Sequence, residues 1–594
     1  MRLLVVLLLI SQLLIAREPL TIVKNQAEFE CAVAQINDGR EMHLVLRKGQ
    51  YVLRGILTAN APLSISGRKA TITAYDNIFK CKSSYSGDGD FWVYEINENV
   101  NPYSLFFDEK GTIVSVSESV DGNEGVNFCS GIIFSGDGLK VGAVVKIPIP
   151  ENLQHMVNKK FDKAFGYFDC GWQVVKFLLL KSDDDFFYCK TLNNCRTGNY
   201  SYDKDVYKKA VRFVIYNAEK KIGSIYYDEK FLYVPKNYKC VYQLNCTNYT
   251  TTEPGIVVYS DISLKGVRFC GFKGMEVKSM SSSECEITDC KFQNCLGFAL
   301  KIDRKKDAIV RDAKVKGCDF ADCSLMKGYV MALTAPTDGN NYIVVSSCNV
   351  TRYSGGWVSY KNPDGGIWVN GNAVLNGNVV YNQPRCHLYF NGGQIIAEGN
   401  VLYNTDLFNE QVNRNFSSDW GLIYCNHIFS DTEKALNNTR HHISIKDNLL
   451  YGAYAYGGNA RGIFIDNGRG DIECIGNIVL NTQLYSIDAR NSDLTEASSV
   501  RNKYEGNIVT TRYRLVSGNQ VKGNDMPSIK GNHMVNSQKN ILSNVNVLEE
   551  DVSLDAGDST TRCIGERIYV SRSLYKELKI SSAWKRVKKF VKVN

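Results

Sequence analysis

The sequence predicts an all-β chain wound as a right-handed parallel β-helix, with an inserted antiparallel β domain and a short N-terminal helical cap. One phrase recurs nine times between residues 290 and 532, and one column of it is held first by Cys and then by Asn. It begins as Ile287-Thr-Asp-Cys290-Lys-Phe292 and returns with Cys318, Cys348, Asn378, Asn400, Asn448, Asn477, Asn507 and Asn532 in the same place. Successive column residues lie 28, 30, 30, 22, 48, 29, 30 and 25 positions apart. A repeat of about 20–50 residues carrying short β-branched runs is the mark of a stacked solenoid. The positions three before and two after the column are mostly apolar, so each phrase reads as two strands bent about its middle. Asn tolerates the left-handed conformation such a bend needs, so the column itself is expected to adopt it. Stacked about 4.8 Å apart, its amides bond the coils above and below. Leucine-rich repeats fit less well, because their Leu spacing is missing and no helical pattern separates the strands.

The elements follow in chain order. Residues 1–16 have a basic start and an apolar run from Leu3 to Ile15, too short to span a bilayer comfortably and suited to a cleaved secretory signal. No Cys follows that run, so lipoprotein anchoring is not expected, and the chain reads as secreted or periplasmic without an integral membrane segment. Residues 17–83 form the N-terminal cap and first coils: Phe29 to Ile36 reads as a short amphipathic helix, followed by short strands parted by turn residues. The repeat disappears over 84–255, where strand-like pieces such as Phe91 to Ile96 and Val211 to Tyr216 suggest an inserted β-rich, sandwich-like domain that walls one side of a pocket. The main β-helix occupies 256–550. Residues 551–594 end in the basic stretch Trp584 to Asn594, read as a segment capping the last coil rather than a nucleic-acid patch.

Nineteen cysteines in an exported chain would ordinarily suggest disulfides, but the count is odd. Cys290, Cys318 and Cys348 are expected to be free, buried, stacked thiols. Cys240 with Cys246, and Cys189 with Cys195, are the better disulfide pairs. No zinc spacing occurs, so neither a metal nor a cofactor is implied. The formal charge of +8 is compatible with an acidic polysaccharide without requiring one. Glycosylation sequons stand at Asn199, Asn245, Asn248, Asn349, Asn415 and Asn437.

The candidate site comes from the strands that precede the Asn column. Placing Val369, Phe390, Tyr424, Ile465 and Ile487 inward puts Asn370, Asn391, Cys425, Asp466 and Asp488 in an exposed column. Trp368, Tyr389, Ile423, Phe464 and Ser486 then share that face. Aromatic faces stack a sugar ring while amides and carboxylates take its hydroxyls. Asp466 and Asp488 are 22 residues apart, one coil, and two close carboxylates split their pKa values into acid and nucleophile roles. Asp419, on the coil below, supplies a longer gap suited to an inverting reaction. His427, His441 and His442 lie in the long segment between Asn400 and Asn448, with His427 the one expected to wall the pocket. Arg461 and Arg490 flank the acidic coils as substrate contacts, or as partners of the aspartates.

The runs Gly223 to Asp228 and Phe231 to Pro235, then Ser418-Asp419-Trp420-Gly421 to Tyr424, then Arg461-Gly462-Ile-Phe-Ile-Asp466-Asn467-Gly468, occur in an order that resembles β-helix glycoside hydrolases of families 120 and 141. Asn467 stands where the last of those phrases often has a second Asp. The resemblance covers most of the mature chain and implies the pectin lyase-like fold with Asp466 and Asp419 at the active site. The expected function is therefore an exported glycoside hydrolase acting on a polysaccharide or oligosaccharide, with Asp466, Asp419 and Asp488 catalytic. Trp368, Asn370, Tyr389, Asn391, Phe464, Asn467, His427, Arg461 and Arg490 are its expected substrate contacts. A polysaccharide lyase on the same fold would need a dense acidic cluster for calcium, which the sequence does not display. A non-catalytic carbohydrate-binding solenoid is the third reading, because fold does not dictate function.

Overall fold

Alternation of apolar and polar residues over three short runs per repeat gives three parallel sheets. The computed structural model describes residues 20–74, most of 255–405, then 420–426, 442–453, 460–466, 471–489, 502–510, 528–534, 562–564 and 567–594, and between 77 and 244 a series of strands and the short helix Glu151–Met156. Each coil contributes one strand to each of three sheets, of 13, 12 and 10 strands among the described residues. In one coil, Ile256–Val258 joins the 10-stranded sheet, Ile262–Lys265 the 13-stranded sheet and Arg268–Cys270 the 12-stranded sheet. Pairing between coils is parallel, for example Ile262 beside Cys285 and Arg268 beside Lys291. The chain is a parallel β-helix.

The recurring phrase is the corner between the 13- and 12-stranded sheets. Its flanking apolar residues, among them Ile287, Phe292, Leu375, Val380, Ile445 and Leu450, are buried in one continuous core. The left-handed conformation expected of the column lies one residue earlier. It occurs at Asp289 (φ +52°), Ser347 (+53°), Gly377 (+64°), Asp447 (+54°) and Gly476 (+67°), and at no column residue. The first corner residue makes the left-handed step, and the second, without a positive φ, turns its side chain inward. Asp, Ser and Gly therefore hold the preceding position.

That frees the Asn side chain to bond in both directions. Asn477 Nδ2 donates to Asn507 Oδ1 (3.0 Å) and Ile445 O (2.9 Å), while its Oδ1 accepts from Asn448 N (3.1 Å) and Asn448 Nδ2 (3.0 Å). The same ladder links Asn378, Asn400, Asn448, Asn477, Asn507 and Asn532. At its lower end Asn378 Oδ1 accepts from Cys348 N (3.0 Å). Cys290, Cys318 and Cys348 are free and fully buried, as expected. Their thiols make only long bonds to the preceding coil, Cys318 Sγ to Ile287 O (3.5 Å) and Cys348 Sγ to Val315 O (3.7 Å), where the amide of Asn378 reaches Val345 O at 3.0 Å. A Cys coil is therefore tied to its neighbour more weakly than an Asn coil.

The open end of the first coil is covered. Helix α1 (Gln26–Asn37), slightly longer than the expected Phe29–Ile36, is capped by Asn25 and buries Phe29, Ala32 and Ile36. It also satisfies the edge backbone of the first coil. Gln26 bonds Val52 N and O (both 2.8 Å), and Asn37 Oδ1 accepts from Thr58 N (2.8 Å). An uncovered sheet edge would invite pairing with another chain.

The insertion begins by Asn77, earlier than the expected residue 84, because Asn77–Lys80 pairs antiparallel with Cys240–Leu244. Among the described residues its largest sheet has six strands, with Ile147, Phe177, Leu179, Phe187 and Cys189 buried. Cys189 is a free thiol in that core, which overturns the expected Cys189–Cys195 disulfide. Inward alternation along Phe186–Thr191 places it beside other apolar side chains. Cys246 lies outside the described residues, and with it the Cys240–Cys246 pairing; so do residues 1–16. After the insertion the coil resumes in register, Ile256 beside Leu57.

The C-terminal segment lies along the flank of the solenoid rather than on its last coil. Helices α2 (Arg572–Leu578) and α3 (Trp584–Val587) bring Leu574, Leu578, Ala583 and Val587 against Tyr381, Tyr403, Leu449, Tyr451 and Leu480 of the 12-stranded sheet. Arg586 Nη2 meets Glu398 Oε1 (2.6 Å), and Ser581 Oγ donates to Gly476 O (3.1 Å). The outward residues of these late coils are apolar, and burying each contributes about 1.5–3 kcal/mol.

Replacing Asn477 by Leu orphans the buried amide of Asn448 and the carbonyl of Ile445, each at about 1–3 kcal/mol. Thermal unfolding is expected to show a marked loss for Asn477→Leu, and an unchanged melting temperature would contradict the ladder. On the outer face of the 13-stranded sheet, Glu473 bonds Lys446 and Lys503 (both 2.7 Å). Burial alone would raise its pKa, but the two lysines prevail and bring it from 4.5 down to about 2. A folded pKa below the unfolded one stabilises above the unfolded value and is lost as pH falls through the folded value. The difference in melting temperature between wild type and Glu473→Gln should therefore shrink between about pH 5 and pH 2.

Candidate carbohydrate-binding face

The outward face of the 10-stranded sheet is set by strand register. Trp368 lies beside Tyr389, Tyr389 beside Tyr424, Tyr424 beside Phe464, and Phe464 beside Asp488. Two residues along, Asn391 N bonds Val369 O, Asn426 N bonds Phe390 O and Asp466 N bonds Cys425 O, the same step in three successive coils. Four coils thus carry an aromatic residue, an inward residue and then Asn or Asp: Trp368-Val-Asn370, Tyr389-Phe-Asn391, Tyr424-Cys-Asn426 and Phe464-Ile-Asp466.

Side chains in these columns contact their neighbours. Ring centroids lie 5.5 Å apart for Tyr329 and Tyr389, 5.0 Å for Tyr389 and Tyr424, and 5.1 Å for Tyr424 and Phe464. Asn426 Nδ2 donates to Asn391 Oδ1 (3.0 Å), and the Tyr424 hydroxyl donates to Asp466 Oδ2 (2.7 Å). Burial first, then the charge of Asp466, pushes the Tyr424 phenol well above its usual pKa, so it remains a donor. Trp368, Asn370, Tyr389, Asn391, Tyr424, Asn426 and Asp466 are all partly exposed. Together they present amides, a phenol and a carboxylate beside aromatic edges, a set able to bind hydroxyl groups and rings.

Several expected members of the site stand elsewhere. Asp488 is fully buried in an ion pair with Arg461, itself fully buried. It is not an exposed carboxylate one coil from Asp466, because Asp488 is in register with Phe464. Arg461 is a structural partner of that acid rather than an open substrate clamp; its guanidinium lies 4.2 Å from the Phe464 ring centre. Phe464 is itself fully buried, so it supports the Tyr424 ring from below and offers no face to a ligand. Cys425 also points into the core, and Tyr424, expected inward, takes the outward place. In that coil the expected alignment is one residue out of register. His442 lies on the 13-stranded sheet beside Asp471 and Glu473 (3.5 and 3.7 Å), away from this face. Asp419, His427, Asn467 and Arg490 lie outside the described residues.

Sequence reasoning missed Tyr329, Tyr424 and Asn426 on this face. The signal for the last two was available in the fourfold recurrence of an aromatic residue two places before Asn or Asp. Gly462, part of the Arg461-Gly462-Ile phrase, has a packing reason of its own. A Cβ there would come 2.3 Å from Val479 Cγ1 and 2.5 Å from Ser486 O. No family model, curated protein or solved structure matches the chain.

Removing one partner of a buried ion pair leaves an uncompensated charge and costs about 3–5 kcal/mol. Arg461→Leu and Asp488→Leu should each lower the melting temperature strongly, while the double variant recovers much of the loss. Single variants as stable as wild type would show that the pair is not buried.

Proposed function

We propose that the chain is an exported carbohydrate-active enzyme, a glycoside hydrolase whose sugar chain runs across the coils on the outer face of the 10-stranded sheet. The observation that carries this reading is the repeated aromatic and Asn/Asp ladder ending at Asp466, which is partly exposed and bonded to Tyr424. The ordered phrases that resemble glycoside hydrolase families 120 and 141 support it, with Asp419 proposed as the second acid. Asp488 leaves the catalytic set, and with it the one-coil pair that would have favoured retention. In this reading Asp466 serves as one member of an acid–base pair, Tyr424 orients its carboxylate, and Tyr389, Asn391 and Asn426 position the sugar.

A non-catalytic carbohydrate-binding solenoid is the second reading. It is favoured by one observation: Asp488 is sealed in a buried ion pair with Arg461, so it cannot serve as the partner acid of the partly exposed Asp466. A lyase would instead release an unsaturated uronide and depend on a chelatable cation.

Activity on aryl glycosides and on pectic, xylan and fucosylated polysaccharides, with and without chelator, separates the three. Release of reducing sugar that ignores chelator is expected. Asp466→Asn and Asp419→Asn should each lower turnover at least about 100-fold without unfolding the protein. Tyr424→Phe should lower it about 10-fold. Turnover near wild type in both aspartate variants would remove the hydrolase assignment from this face.

A further inference from the structure

We propose that the corner between the 13- and 12-stranded sheets in the first coils is a second binding site, for a polysaccharide bearing carboxylate or sulfate groups. The 10-stranded sheet takes no part in this corner, so the inference stands apart from the function proposed for that face.

Corner width creates the site. Pairing sets Lys265 beside Ser66 and Arg268 beside Thr71. Two residues, Gly266 and Val267, span the corner at Lys265, whereas four, Gly67 to Ala70, span the one before it. Both extra positions in that wider corner are basic, Arg68 and Lys69. Where the wide corner meets the narrow one, a groove of about 900 Å³ opens, lined by Arg68, Lys69, Lys265, Arg268 and Lys291, with Asp289 its single carboxylate. Lys291 is held by Asp319 at 2.8 Å. The other four cations are exposed and make no ion pair among the described residues.

Like charges that outnumber their counter-charges repel one another and destabilise the folded chain, and an anionic ligand relieves that repulsion. The arrangement suits a chain more than a single anion. Arg268 and Lys291 occupy the same register in adjacent coils, one strand spacing or about 4.8 Å apart. That step is close to the length of one sugar residue in an extended polysaccharide. No aromatic side chain lines the groove, so nucleic-acid bases would find nothing to stack on. Charge, rather than ring stacking, is the means of recognition here.

The test uses the full-length protein and four probes: polygalacturonate, dextran sulfate, neutral dextran and oligothymidylate. Binding to one or both acidic polysaccharides, weakening steeply with added salt, and none to neutral dextran, is expected. The tighter of the two identifies the acid group as carboxylate or sulfate. Lys265→Glu/Arg268→Glu should weaken that binding at least about 10-fold, whereas Lys585→Glu/Lys588→Glu, with the same change in net charge, should leave it within about 2-fold. Arg68→Ala/Lys69→Ala, in the exposed corner, serves if the first pair lowers the melting temperature. Failure to bind either acidic polysaccharide, equal losses in the groove and control variants, or oligothymidylate binding as tight as the polysaccharides would overturn the proposal.

Discussion

Everything in this molecule depends on the stacking of coils at one strand spacing, held inside by the Asn ladder. Each amide in the column must find partners in the coil above and the coil below, so a slip of one coil against another breaks several buried hydrogen bonds at once. Hydrophobic burial alone tolerates such slips far better, because it is non-directional. From Asn378 to Asn532 the ladder converts a greasy interior into a fixed register. The earlier coils, with Cys in the column, rely instead on stacked rings such as Phe269, Phe292 and Phe320, 5.1 and 4.9 Å apart.

Interior register governs the exterior. Side chains alternate along a strand, so fixing Ile423, Ile463 and Ile487 inward fixes Tyr424, Phe464 and Asp488 in one column. The face built this way is layered. Asp488 and Arg461 are sealed at its end, Phe464 lies against the guanidinium, and Tyr424 and Asp466 reach solvent. A buried charge pair there adds directional bonds to the position of the Phe464 strand, and Phe464 in turn supports the Tyr424 ring. The exposed polar groups inherit their placement from buried ones.

The 12-stranded sheet shows how one scaffold presents different surfaces along its length. Its outward residues are Arg268, Lys291 and Asp319 in the early coils, and Tyr381, Tyr403, Tyr451 and Leu480 in the later ones. Water suits the first group; the second needs cover, which the C-terminal helices provide. Because each coil contacts only its neighbours, these surfaces change along the solenoid without disturbing the core.

Sequence alone determined the parts of this protein that repeat. The column from Cys290 to Asn532, its apolar flanks, the interior thiols and the parallel coil are local patterns recurring at a fixed phase, and phase survives without knowledge of distant contacts. The buried face of α1 was legible for the same reason. Tertiary structure decided what depends on how one coil meets the next. Tyr424 and Cys425 exchanged places because Tyr424 pairs with Tyr389 and Phe464, and Cys425 with the inward Phe390 and Ile465. Asp488 moved from the surface to a buried pair because its neighbour across the sheet is Phe464, not Asp466. Cys189 proved free because the inserted sheet turns it inward, and the basic C-terminal segment folded back along the flank because apolar side chains there needed covering. Pairing partners lie a coil apart in sequence, with loops of unequal length between them, so register is a property of the stacked molecule and is written in no single segment.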